Sequence, residues 1–137
     1  METGVMQFQI IDSERANVRS FKCATLNEAM IAAGLEPGKV DFGSVGENIS
    51  IVVFEFGLFL PREKARFFSI QRALFVGNAV LFGHDQRGET VDLPAPPPVI
   101  FYRDFNAVEQ AIGWNQIDRP QIAVNGAVLW RWPEPRK

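Results

Sequence analysis

His84-Asp85, with Glu89 and Asp92 close behind, is where this chain sets its single imidazole among carboxylates. Such a group can hold a divalent metal, or a carboxylate can orient the ring so that it serves as a base. No second histidine completes a ligand set. The same residues also read as a turn, Asp85-Gln86-Arg87-Gly88, with Asp first and Gly last. On that reading His84 is structural or solvated. Cys23 is the only cysteine. It could meet His84 in space as a thiol–imidazole pair, yet beside Ala24 at the end of a strand it reads as a small buried hydrophobe. Glu55 closes an apolar row with Ile49, Ile51 and Val53. Buried, it would have the raised pKa of a general acid; at an emerging strand end, or beside a nearby arginine, it would not. Serine lacks the G-x-S-x-G elbow, and no phosphate loop or dinucleotide fingerprint is present. Nothing in these patterns implies a cofactor or a bound metal.

Two further groups could bind rather than react. Arg62, Lys64, Arg66 and Arg72 interleave with Phe67 and Phe68, a composition that suits single-stranded nucleic acid. Against Glu63 and a net charge of −2 it reads better as a solvated face, and a nucleic-acid partner is not expected. The second group lies in QIAVNGAVLWRWPEP. Asn125-Gly126 between alternating residues is a strong hairpin signal, because both central residues of the turn take positive φ. Alternation then puts Ile122, Val124, Ala127 and Leu129 on one face. Gln121, Ala123, Val128, Trp130 and Trp132 share the other, with Arg119 near Trp132 if pairing continues. Two indoles beside Gln and Arg have the composition of an interface hot spot. The alternative is a sheet buried on both sides, with the tryptophans in a second small core.

The elements that position these groups follow from period and punctuation. Strands are expected over Val5–Ile11, Asn17–Cys23, Lys39–Gly43, Ile49–Phe56, Ala79–His84, Glu89–Leu93 and Val99–Arg103. TLNEAMIAAG reads as a short helix, with Thr25 and Glu28 as a capping box and Gly34 as the left-handed stop. DFNAVEQAIG repeats that pattern behind Asp104. The order strand-strand-helix-strand-strand thus occurs twice, over 5–56 and 79–132, leaving 133–137 as a flexible tail. The two short helices resemble each other through ancient duplication or through convergence on the same local grammar. Pro61–Gly77 fits a helix that starts at Pro61 or a strand of alternating residues, and Gly77 with its β-rich neighbour favours the strand. The expected class is α+β, with antiparallel sheet and two short helices in a single domain of 137 residues.

Composition is that of an ordinary globular protein, 47% hydrophobic and 22% charged. The longest apolar run, Ile49–Leu60, contains Glu55 and is too short to span a bilayer as a helix. METGVMQFQIIDSE carries acids and no long apolar core, so a secretory signal is not expected there, and the lone cysteine suits the cytoplasm. Twelve phenylalanines stand out, and a domain this small has difficulty burying them all. At LFVGNAVLFGHDQRGETVDLP and QIDRPQIAVNGAVLWRWP the chain resembles small uncharacterised proteins encoded in phage and prophage genomes. That resemblance covers the second half and implies a setting rather than an activity. The expected function is non-enzymatic: a soluble interaction module that binds a host or phage protein through an aromatic β-surface and self-associates. The alternative is a small enzyme or small-molecule binder with Glu55, His84 or Cys23 in a pocket.

Overall fold

In MQFQIID, apolar side chains fall on both faces of one strand, so that strand must be covered on both sides. The computed structural model, which describes residues 4–54, 65–71, 73–112 and 130–131, shows how. Strand β1 (Met6–Asp12) pairs along its whole length with β2 (Asn17–Cys23), from Met6 opposite Cys23 to Asp12 opposite Asn17. Asp12 closes the turn. Its carboxylate accepts from the N–H groups of Glu14 and Arg15 and from the Arg15 guanidinium at 2.8 Å. Burial alone would raise the Asp12 carboxyl, but these hydrogen bonds and the Arg15 charge outweigh it and hold its pKa below the ordinary value.

Helix α1 (Leu26–Ala32) begins as its sequence predicts. Thr25 Oγ1 accepts from the Glu28 N–H at 3.2 Å, while the Glu28 carboxylate lies 3.4 Å from the Thr25 hydroxyl. It ends in a Schellman motif: Leu35 N–H bonds Met30 O, Gly34 N–H bonds Ile31 O, and Gly34 takes φ 84°. Leu35 and Met30 are both buried and belong to one cluster. Arg19 donates from Nη2 to Ala32 O, placing a cation at the negative end of the helix.

Strands β3 (Val40–Gly46) and β4 (Ile49–Phe54) form a second hairpin with a bulge between Ser44 and Gly46. Then β5 (Phe67–Ile70) and β6 (Ala73–Val76) pair tightly, Ile70 opposite Ala73 and Phe68 opposite Phe75. The segment read as one strand across 61–77 therefore holds two. Gln71, at φ 55°, starts the reversal without the glycine or asparagine that would have announced it. Strand β7 (Ala79–His84) is followed by the short β8 (Thr90–Val91), β9 (Val99–Tyr102), α2 (Phe105–Ile112) and β10 (Trp130–Arg131).

The strands make two antiparallel sheets, ordered β2-β1-β7-β4-β3, with β8 also paired to β7, and β10-β6-β5-β9. The α+β class is as the sequence predicts. Among the described residues the layers run helix, sheet, sheet, helix. Ala29 and Met30 of α1 pack on Phe8, Ile10, Val52, Val80 and Phe82. The other face of that sheet, through Ile11, Ile51, Val53, Ala79 and Leu81, meets Phe68, Ile70, Ala73 and Phe75 of the second sheet. The outer face of the second sheet packs Phe67, Leu74 and Val76 against Val108 and Phe105 of α2. Phe8, Phe68 and Phe75 are fully buried; each contributes about 1.5–3 kcal/mol relative to exposure. Phe68 and Phe75 stack with centroids 5.1 Å apart.

The recurring element order does not recur as a recurring sheet. Among the described residues, β1 to β4 all lie in the first sheet, whereas β7 and β8 join that sheet and β9 and β10 join the second. Residues 113–129, which carry most of the expected terminal hairpin, lie outside the described residues.

Candidate functional site

Helix α1 is two turns long, and its cluster covers Val52 of β4 as well as Phe8, Ile10, Val80 and Phe82; among the described residues, Phe42 and Ser44 of β3 form the exposed corner of that face. Register fixes what that corner displays. Ser44 stands opposite Ser50, and Phe42 opposite Val52. Ser50 in turn stands opposite Phe82 on β7. Because cross-strand partners share a face, Phe42, Ser44 and Ser50 look out on the α1 side, as does His84, two residues beyond Phe82. Ser50 Oγ and His84 Nδ1 are 2.8 Å apart. Both residues are half-buried, while Phe42 is 55% exposed. Of the described phenylalanines, Phe42 is the exposed one.

His84 is therefore held by its strand and by Ser50. Its N–H also bonds Asn48 O at 3.0 Å, and it pairs with Thr90 of β8. Asp85 does turn work: its carboxylate accepts from Arg87 N–H at 2.9 Å and Glu89 N–H at 3.0 Å, and its carbonyl accepts from Gly88 N–H. Asp92 accepts from Gln7 N–H at 2.8 Å. These carboxylates fasten the β7–β8 turn and the start of β1. Among the described residues no group of three or more His, Cys, Asp or Glu could hold a metal ion.

Cys23 does not join His84. It is buried at the end of β2, its Sγ 3.1 Å from Thr25 O, and neither residue is a hydrogen-bond partner of the other. Burial pushes the Cys23 thiol above its ordinary pKa, and Glu28 adds to this, outweighing the hydrogen bonds at the helix start that lower it. A thiol so placed stays protonated and unreactive. Glu55 lies outside the described residues, but Ile51 and Val53, with which it was expected to share a face, point at the second sheet.

The basic run divides. Phe67 and Phe68 are both buried, one towards α2 and one between the sheets, so neither is a stacking platform for bases. Arg66 donates to Ala65 O, while Arg62, Lys64 and Arg72 lie outside the described residues. Of the aromatic hairpin, Trp130 and Arg131 form β10, with Trp130 opposite Leu74 and Arg131 opposite Ala73. Arg119, Gln121, Val128 and Trp132 lie outside the described residues.

Sequence reasoning overlooked Ser50 and Phe42. The signal for Ser50 was the alternation in ISIVVF, which sets it on the face away from Ile49, Ile51 and Val53. Its pairing with His84 depends on β7 lying beside β4, a neighbour 34 residues on in the chain. Among the described residues, no helix is long and apolar enough to cross a membrane. The chain matches no protein-family model, no curated protein and no solved structure.

Proposed function

We propose that the protein is a cytoplasmic interaction module that binds another protein, host- or phage-encoded, through its sheet surfaces and also self-associates. The observation that carries this reading is Phe42: a large aromatic side chain, 55% exposed, on the terminal strand of the first sheet. A phenylalanine left in water on an edge strand gains area by docking, and the backbone of that edge, unpaired among the described residues, offers a template for an added strand. Ile100, 56% exposed on β9 at the end of the second sheet, repeats the arrangement. The tryptophans fit the same scheme as rigid aromatic anchors, with Trp130 carried on a strand at the other end of that sheet.

Sedimentation of the full chain tests self-association, and capture from the native host's lysate tests the partner. Phe42→Ser and Trp130→Ala should each weaken association at least tenfold, equivalent to about 1.4 kcal/mol, with circular dichroism unchanged. A chain that stays monomeric and captures the same proteins with and without these substitutions overturns the proposal. Unfolding of the Trp130→Ala monomer would assign that residue to an internal core.

A further inference from the structure

We propose that Ser50 and His84 form a nucleophile–base pair able to accept an acyl group from an activated ester of a short apolar acid. This goes beyond the binding role and does not depend on it. Three features of that corner of the sheet carry it. The first is the hydrogen bond itself, 2.8 Å between Ser50 Oγ and His84 Nδ1, which is the distance at which an imidazole takes a hydroxyl proton as it attacks. The second is positioning. Ser50 lies within β4, and His84 is pinned by its N–H to Asn48 O and by its pairing with Thr90, so the two side chains are presented from adjacent strands rather than from loops. The third is access with an apolar neighbour. Both residues are half-buried on the α1 side of the sheet, and exposed Phe42 is the diagonal neighbour of Ser50, about 7–8 Å away by sheet geometry. An acyl chain lying on the Phe42 ring would bring its carbonyl towards the Ser50 hydroxyl.

The step balances without a cofactor. In the tautomer that carries its proton on Nε2, His84 accepts the Ser50 hydroxyl proton at Nδ1. The Oγ–C bond forms, the ester's C–O bond breaks, and the leaving group departs either as an alcohol that takes the proton from Nδ1, or as a phenolate, in which case Nδ1 gives its proton to bulk water and is free again for the second half of the reaction. Water then attacks the acyl-serine, its proton passes to Nδ1 and on to Ser50 Oγ, and the acid is released.

The test uses the full-length chain with a fluorophosphonate probe, located by peptide mapping, and p-nitrophenyl butyrate turnover. The expected result is a single label on Ser50, absent in Ser50→Ala. Turnover should be lost in Ser50→Ala and reduced at least tenfold in His84→Gln, in line with removal of a general base. Ser50→Ala deletes one oxygen from a half-buried site, and circular dichroism confirms that the fold survives. Absence of label on wild-type protein overturns the proposal, as does label or turnover that persists in Ser50→Ala. Either outcome leaves partner binding through Phe42 and Trp130 unaffected, so the two readings fail separately.

Discussion

Asn78 joins three parts of the chain that are far apart in sequence, and its removal should show that the joint matters. Its Oδ1 accepts from Ser13 N–H at 3.0 Å, and its Nδ2 donates to Ala33 O at 2.9 Å. The β1–β2 turn, the C-terminal cap of α1 and the start of β7 meet at this one carboxamide. Ser13 also donates from its hydroxyl to Gly77 O, so the turn is fastened to both residues that precede β7. Ser13 and Ala33 are buried, which limits how far water can replace the lost partners. Each hydrogen bond contributes about 0.5–1.5 kcal/mol net, so Asn78→Ala should cost about 1–3 kcal/mol. Asn78→Asp is the sharper variant, because it keeps the shape and the acceptor for Ser13 but turns an oxygen towards Ala33 O. It should cost at least about 1 kcal/mol despite being isosteric. Urea unfolding, read as a shift in midpoint at constant slope, measures both. If both variants stay within about 0.5 kcal/mol of the parent, as ordinary surface substitutions do, the joint contributes nothing and the reasoning is wrong.

Gly83→Ala should destabilise by about 1–3 kcal/mol through overpacking, because a Cβ there would lie 2.9 Å from Asp92 O and 3.1 Å from Val91 Cγ2. Backbone cannot swing aside as a side-chain tip can, so hydrogen exchange should rise across β8, and unchanged exchange would count against this packing. Asp12, whose pKa is lowered in the fold, contributes stability above its ordinary value of 3.8 that is lost as pH falls through the lower folded value. The stability gap between parent and Asp12→Asn should accordingly close below that pH in a series of urea titrations, and a constant gap would refute the linkage. Cys23, buried and with a raised pKa, should react slowly with a disulfide reagent in the native protein and fast once unfolded. Equal rates in the two states would show the thiol to be accessible.

Sequence disclosed the caps and turns whose residue types announce them. Thr25 and Gly34 marked both ends of α1 through cap chemistry that acts over three or four residues, and Asp104 likewise accepts from Ala107 N–H at 2.9 Å. Asp85 and Gly88 wrote their turn in the same local grammar. The β5–β6 reversal stayed hidden because Gln71 adopts positive φ where glycine or asparagine is the usual signal. A residue that pays a local conformational cost of that kind is held by what surrounds it, here the stacked Phe68–Phe75 pair and two buried strands. The candidate site was hidden for a related reason. β7 enters the first sheet between β1 and β4, and neither neighbour adjoins it in sequence. That insertion brings His84 to Ser50 rather than to Cys23, and it uses Val80 and Phe82 to hold α1 on one side while Ala79 and Leu81 hold the second sheet on the other. A strand buried on both faces and paired on both edges has little freedom to shift. A one-residue slip of β7 would exchange its two faces and part His84 from Ser50, so the core that fixes the register of β7 also fixes the geometry of the site.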